Sequence, residues 1–191
     1  MALLSREQLL QMGFASVGEP VFISDKASFY GTGRIHLGNH VRIDDFAVLS
    51  AGSGGIVLGN YIHIAVFSSL IGAGRIELAD FANISSRVSI YSSSDDYSGA
   101  TMTNPLVPEQ FKHVTHAPVS IGRHVIVGCG SVVLPGVTLH EGAAVGALSL
   151  VNRDCLAFGI YAGTPAVWLK ERSRDLLALE RAFLGLTPAD Q

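Results

Sequence analysis

The residues best suited to chemistry stand in one short polar stretch, "SSSDDYSG", at positions 92–99 of a 191-residue chain. Asp95 and Asp96 supply carboxylates that can accept a proton, and Tyr97 supplies a ring that can stack on a ligand or anchor a loop. Aspartate and serine also cap their own backbone in turns, so the stretch fits a structural turn equally well. The side chains of adjacent residues tend to point in different directions, which argues against Asp95 and Asp96 acting as a paired acid and base.

Histidine changes its charge nearest to neutral pH, so three histidines are further candidates for proton transfer. His63, in "NYIHIAVF", precedes an aliphatic residue that points inward, so its side chain points outward as a base or as a solvated residue. His113 and His116, in "FKHVTHAPV", follow the polar stretch and either swing over a site or remain surface residues. We expect the remaining histidines to be outward and solvated: His36, His40, His124 and His140.

A six-residue repeat predicts the elements that position these residues. Between positions 119 and 152, aliphatic residues recur every six positions, and small or β-branched residues stand four positions after them. A helix of period 3.6 and a hairpin of period 2 both fail to produce this spacing. A parallel β-helix produces it, since each unit forms a short strand and a corner, and three units close one triangular coil. The inward positions are Ile121, Val127, Val133, Leu139, Val145 and Val151.

The repeat is also present earlier in the chain, with slips at the glycine-containing segments "SAGSGG" and "LIGAGR", where glycines can bulge a corner. It stops near position 91 and resumes near position 119. We therefore predict an ordered excursion loop over residues 91–118. The earlier inward positions are Leu37, Ile43, Leu49, Leu58, Ile64, Leu70, Leu78, Ile84 and Ile90.

The ends of a stack of coils must be covered, and both termini contain helical patterns. Residues 1–20 are predicted to form a capping helix, in which Ser5 and Gln8 complete a capping box. Residues 21–160 form the β-helix, and residues 161–191 are predicted as a C-terminal segment and helix with Thr164 as N-cap. The predicted apolar stripe and end of that helix comprise Leu176, Leu179, Phe183, Gly185 and Pro188.

Composition excludes several classes of function. The formal net charge is −3, with 13 Lys and Arg residues and no basic run, which argues against a nucleic-acid partner. Cys129 and Cys155 lack a metal-binding spacing, so we expect two buried thiols, no disulfide and no metal. The N-terminus lacks the pattern of a signal peptide, and no segment approaches the ~20 apolar residues of a membrane span. We expect a cytoplasmic protein.

The segment "IGRHVIVGCGSVVLPGVTLHEGAAVGALSLV", followed by "GIYAGTPAVWLKER", resembles the hexapeptide-repeat acyltransferases. The resemblance covers residues 20–175. It is greatest to the galactoside/maltose acetyltransferase branch and to relatives that acetylate sugars of surface polysaccharides. It implies an all-β fold, a left-handed parallel β-helix, together with a homotrimer whose sites lie between subunits and acetyl-CoA as the donor.

The resemblance also implies where acetyl-CoA binds, because members of the family hold it along the later coils. Small residues suit a thin groove, in which Cys129 is a lining residue, and Arg153 and Lys170 are candidates for the CoA phosphates. The two basic residues also fit solvated surface positions. The six implied positions are Cys129, Gly146, Ala147, Asn152, Arg153 and Lys170.

In members of the family, the excursion loop carries a catalytic histidine, whereas this chain has aspartates there. Attack by a sugar hydroxyl requires a general base, which contributes about 10²–10⁴ in rate. A sugar amine whose pKa is near ~8 is already partly neutral and requires only orientation and a proton acceptor. We therefore predict N-acetylation of a nucleotide-linked amino-dideoxy sugar in O-antigen synthesis. The candidates are Asp95, Asp96 and His63 for proton transfer, and Tyr97, His113 and His116 for substrate contact.

Three alternatives stay open at this point. The first is a sugar O-acetyltransferase of the galactoside or maltose type. The second is a γ-type carbonic anhydrase, which shares the β-helix but requires three histidines on one metal, a spacing that this chain matches poorly. The third is a non-catalytic scaffold, which predicts no binding of acetyl-CoA.

Overall fold

The six-residue spacing places aliphatic side chains in columns inside the coils. In the computed structural model, which describes residues 2–185, Ile43, Ile64, Ile84, Val127 and Val145 stand in register on successive coils and are buried. All fifteen inward positions predicted from the sequence are buried. Since burial of one such side chain contributes roughly 1.5–3 kcal/mol, these columns are the main source of stability.

Short strands separated by corners build the coils. The first half of the described chain contains α1 (Arg6–Gln11), β1 (Ser16–Val17), β2 (Val21–Ile23), β3 (Ser28–Tyr30), β4 (Ile35–Leu37), β5 (Val41–Ile43), β6 (Val48–Ala51), β7 (Ile56–Leu58), β8 (His63–Ile64), β9 (Ser69–Gly72), β10 (Ile76–Leu78), β11 (Asn83–Ile84) and β12 (Ser89–Tyr91). The second half contains β13 (Ser93–Ser94), β14 (Thr115–His116), β15 (Val119–Ile121), β16 (Ile126–Val127), β17 (Val132–Val133), β18 (Thr138–Leu139), β19 (Ala144–Val145), β20 (Leu150–Val151), β21 (Gly159–Ala162), β22 (Val167–Glu171) and α2 (Asp175–Phe183).

Three sheets form the faces of a left-handed parallel β-helix. Sheet I has the order β1-β4-β7-β10-β15-β18, sheet II the order β2-β5-β8-β11-β16-β19-β21-β22, and sheet III the order β3-β6-β9-β12-β17-β20. Neighbouring strands are parallel except for β22, which pairs antiparallel with β21. The fold class predicted from the repeat is confirmed. No helix within residues 2–185 is long and apolar enough to cross a membrane.

One excursion interrupts the coils. The chain leaves sheet III after Tyr91 and returns to sheet I at Val119. At the base of the excursion, β13 pairs antiparallel with β14, with Ser93 opposite His116. This ribbon ties the two ends of the loop together and fixes the direction in which its first residues leave the coils.

The N-terminal end is covered by a helix that is shorter than residues 1–20. The side chain of Ser5 accepts from the amide of Gln8, whose own side chain accepts from the amide of Ser5, so the predicted capping box is confirmed. Leu9 of α1 is buried in the core. The chain then enters the first coil at β1.

The C-terminal end differs from the prediction. Thr164 does not cap a helix: it lies in the turn of the β21–β22 hairpin, and α2 begins only at Asp175. The reason is that the last coil binds this segment, since the Leu150 amide donates to the Gly163 carbonyl at 3.0 Å and the Ala166 amide donates to the Leu150 carbonyl at 2.8 Å. Gly185 follows the helix with φ +68°, and Pro188 lies outside the described residues.

Helix α2 lies along the side of the β-helix, against the corner that joins sheets I and II. Successive coils stack rings there, with centroid separations of 4.4 Å for His40–Tyr61, 4.8 Å for Tyr61–Phe81 and 4.9 Å for Phe81–His124. His124 Nε2 donates to Glu180 of α2 at 2.7 Å, and only 11% of the His124 side chain is exposed. The expectation of a solvated His124 is wrong, because the ring column and α2 cover it.

Candidate active site

Asp95 lines a pocket between the excursion loop and sheet III. The pocket has a volume of about 290 Å³. The Asp95 side chain makes no hydrogen bond to the described part of the chain, and the residue is exposed. Its carboxylate is therefore free to accept a proton from a ligand. The other lining residues include Tyr91, Tyr97, Val132, Leu134 and Pro135.

Asp96, by contrast, holds a turn together. Its carboxylate accepts from the Ser98 amide at 2.8 Å, from the Thr101 amide at 3.0 Å and from the Thr101 hydroxyl at 2.9 Å. Hydrogen bonds from Ser98, and then from Thr101, lower the pKa of Asp96 to about 2. A carboxylate with so low a pKa is a poor proton acceptor near pH 7, so the geometry favours Asp95.

The three loop residues predicted to contact the substrate differ in their surroundings. Tyr97 lines the Asp95 pocket with 93% of its surface exposed. The Ser93 hydroxyl accepts from the Ala73 amide at 2.7 Å and shares a hydrogen bond with Nδ1 of His116 at 2.8 Å. His116 is thereby fixed at the base of the loop. His113 is exposed and makes no side-chain hydrogen bond within residues 2–185.

His63 belongs to a second group of polar side chains, on the outer face of sheet II. Its Nε2 donates to Asp44 Oδ2 at 2.9 Å, and Arg42 Nε donates to the other oxygen of Asp44 at 2.8 Å. Burial raises the pKa of Asp44, but the hydrogen bonds from His63 and Arg42 outweigh it and hold this pKa below its ordinary value. With a proton on Nε2, neutral His63 presents an unprotonated Nδ1, which is the arrangement of a general base supported by a carboxylate.

Asn83 adjoins this group. It pairs in register with His63 on the next coil, and its Oδ1 is buried without a hydrogen-bond partner among the described residues. A buried acceptor of this kind is usually satisfied by an ordered water, a ligand or another chain. Sequence reasoning missed Arg42, Asp44 and Asn83. The signal was available, because both Arg42 and Asn83 occupy the outward position of the repeat that His63 occupies.

The two groups lie on different faces of the chain. Asp95 and Tyr97 stand over sheet III, whereas Arg42, Asp44 and His63 stand on sheet II. No hydrogen bond within residues 2–185 joins them. The structure therefore brings together the members of each group but not the two groups.

The implied CoA positions fall in three places. Cys129 and Ala147 stack on the corner that joins sheets II and III, where the Leu148 amide donates to the Cys129 carbonyl at 2.9 Å, with Gly146 beside them. Coils approach closely there, since a Cβ on Gly146 would meet the Ala162 Cβ at 3.0 Å. Asn152 and Arg153 follow β20, and Lys170 lies on β22 opposite Ile160. These three residues are therefore outside the corner that carries Cys129. All three are exposed.

The two cysteines have different surroundings. Cys129 is exposed, so the expectation of two buried thiols is wrong for it. Cys129 lies in the corner between β16 and β17, outside the inward positions of the repeat. Cys155 is buried, and burial, followed by the charge of Asp154, raises the pKa of its thiol to about 11. No group of three potential metal ligands is found within residues 2–185.

Comparison with known proteins assigns the class. No family model matches the sequence. The chain is 60% identical, over 96% of its length and 95% of the relative's, to a dTDP-4-amino-4,6-dideoxy-D-glucose acyltransferase from Escherichia coli. Together with the β-helix, this identity shows that the chain belongs to the hexapeptide-repeat acyltransferases.

Solved structures agree with that assignment. One is AntD, an N-acyltransferase from Bacillus cereus, in a complex with dTDP-4-amino-4,6-dideoxyglucose and coenzyme A. AntD is 44% identical to this chain, and the two structures have a TM-score of 0.91 over 96% of this chain and 97% of AntD. Another AntD complex contains dTDP and 3-hydroxybutyryl-CoA. A maltose O-acetyltransferase from Clostridium difficile, at 19% identity and a TM-score of 0.57 over 88% of this chain and 75% of its own, shares the fold alone.

Proposed function

We propose that the chain transfers an acetyl group from acetyl-CoA to the amino group of dTDP-4-amino-4,6-dideoxyglucose, for incorporation into a surface polysaccharide. The observation that carries this proposal is the 60% identity, over 96% of the chain, to an acyltransferase named for that sugar nucleotide. The absence of histidine from the stretch at positions 92–99 supports it, because an amine depends less than a hydroxyl on a strong base.

In the proposed reaction, the neutral amine attacks the thioester carbonyl, a tetrahedral oxyanion forms, and the C–S bond breaks to release CoA. The proton lost by the nitrogen passes to the free carboxylate of Asp95 or to the unprotonated Nδ1 of His63. It can then neutralise the departing thiolate. Backbone amides near the cleft are expected to stabilise the oxyanion. Tyr97, which lines the Asp95 pocket, is placed to contact the sugar.

The same proposal includes a homotrimer with sites between subunits. The support is that the His63 and Asp95 groups occupy different faces, so that a neighbour's sheet II could face the Asp95 pocket. A cytoplasmic location accompanies this function, because acetyl-CoA is a cytoplasmic donor; cell fractionation would test it.

Product analysis tests the proposed activity. The purified protein is incubated with dTDP-4-amino-4,6-dideoxyglucose and either acetyl-CoA or 3-hydroxybutyryl-CoA. The products are then separated, and their masses are measured by mass spectrometry. We expect one acetyl group on the sugar amine and slower transfer of the larger acyl group. If the sugar nucleotide stays unmodified while the protein binds neither dTDP nor CoA, the proposal fails.

A further inference from the structure

A second column of side chains runs along the corner that joins sheets II and III. Phe46 and Phe67 stack with their ring centres 5.0 Å apart. The guanidinium of Arg87 lies over the Phe67 ring at 5.1 Å, and the ammonium of Lys26 lies over the Phe46 ring at 5.6 Å. The column thus consists of two rings with a cation at each end.

The two cations differ in what they bind. Lys26 also pairs with Asp45 at 3.7 Å, so its charge is partly neutralised within the chain. Arg87 is exposed and, within residues 2–185, its guanidinium makes no hydrogen bond and no ion pair. The contact with the Phe67 ring leaves the N–H groups of the guanidinium free, and a guanidinium with free N–H groups can bind phosphate oxygens in a bidentate manner.

The backbone at Arg87 would suit glycine better than arginine. Arg87 has φ +59°, a left-handed conformation that costs a residue with a Cβ some strain. Gly130, with φ +71°, occupies this corner position on the next coil, where its amide bonds the Ser86 carbonyl. Phe46 and Phe67 share this conformation, each with φ +61°, so the corner geometry of the repeat directs the Arg87 side chain outward in line with the two rings.

The position of Arg87 relates it to the candidate active site. It lies between Asn83, on the outer face of sheet II, and Tyr91, which lines the Asp95 pocket on sheet III. One coil further on, Gly130 and then Ala147 continue the corner where CoA is expected. Arg87 thus lies on the corner between the two faces that carry the candidate site residues.

We propose that Arg87 binds the diphosphate of a substrate. This inference rests on the proposed function, in which both the sugar nucleotide and CoA contain a diphosphate. The stacked guanidinium is the only unpaired cation on this corner within the described residues. Direct binding measurements separate the two sources of the diphosphate.

The experiment measures the affinities of dTDP and CoA by calorimetry for the full-length protein and for its Arg87→Ala, Arg87→Lys and Lys26→Ala variants. We expect Arg87→Ala to weaken one of the two ligands about 10- to 100-fold, and Arg87→Lys to weaken it less. Lys26→Ala serves as the matched control, with both affinities within about twofold of wild type. The affected ligand identifies the source of the diphosphate.

Truncated ligands supply a second control. If dTDP is the affected ligand, dTMP should bind wild type and Arg87→Ala equally; if CoA is affected, pantetheine should do so. Unchanged affinities for dTDP and CoA in Arg87→Ala, with a wild type that binds both, would overturn this inference alone. A wild type that binds neither ligand would overturn the proposed function as well.

Discussion

Asp95 and Asp96 are adjacent in sequence, but the loop gives them different surroundings. The Asp96 carboxylate accepts three hydrogen bonds, whereas the Asp95 carboxylate faces a pocket without a partner among the described residues. We predict that Asp95→Asn lowers kcat about 10²-fold at pH 7, because it removes a proton acceptor. Asp96→Asn keeps an oxygen for the turn, so kcat should stay within about tenfold. Steady-state release of CoA measures both, and equal losses would contradict the assignment.

The two thiols offer a test of the CoA corner. Thiolates react with iodoacetamide, and a pKa of about 11 leaves Cys155 almost entirely protonated at pH 8. We predict one fast-labelling thiol, Cys129, which acetyl-CoA protects at saturating concentration. Cys129→Ala should remove the fast phase. Labelling of Cys129 at an unchanged rate with bound acetyl-CoA would place the donor elsewhere.

At the scale of elements, α2 is held by one acidic residue. Glu180 accepts from His124 at 2.7 Å and pairs with Arg123, while Phe183 meets the ring of Tyr61 edge-on at 5.3 Å. We predict that Glu180→Gln raises amide exchange in α2 by about tenfold, because local opening becomes easier. Glu171→Gln, on the exposed strand β22, is the control. Exchange that stays at the wild-type rate in Glu180→Gln would show that the apolar contacts suffice.

The coils themselves depend on their inward columns. Ile84 lies in the middle of one column, fully buried between Ile64 and Val127. We predict that Ile84→Ala lowers the free energy of unfolding by about 2–5 kcal/mol, compared with about 0.5–1.5 kcal/mol for Ile84→Val. Denaturant melts at one protein concentration measure this, since oligomers gain stability with concentration. A loss below 1 kcal/mol for Ile84→Ala would contradict a continuous core.

The period of six was sufficient to predict fifteen inward aliphatic positions and the place where the coils break. The hydrogen bonds between the last coil and the chain that follows the repeat were not predictable from the sequence. Thr164 and Pro165 have the local pattern of a helix start, yet hydrogen bonds to Leu150 in a neighbouring coil hold that segment as a hairpin. For the site, residue types identified His63 and the two aspartates. The sequence does not show which of the two aspartates is free, or that Asp44 supports His63, because both facts depend on contacts across turns and between coils.

For the whole molecule, we predict a trimer whose sites are shared between neighbouring subunits. Light scattering should give three times the chain mass of 20.2 kDa. Co-expressed His63→Ala and Asp95→Asn chains should recover about a quarter of wild-type activity, because one interface in four then combines two intact halves. If both groups act at one site, each variant alone should be at least about 10²-fold less active than wild type. Mixed trimers without recovered activity would show that one chain supplies both halves.

The most direct test of the central claim compares two acceptors that differ in one group. CoA release from acetyl-CoA is followed with dTDP-4-amino-4,6-dideoxyglucose and with its counterpart that has a hydroxyl group at C4. We predict a kcat/KM at least about 10²-fold higher for the amine, because the stretch at positions 92–99 of the excursion loop has no histidine to activate a hydroxyl. Equal turnover of the two acceptors would contradict it and would make His63 or His116 the base for an O-acetyltransferase.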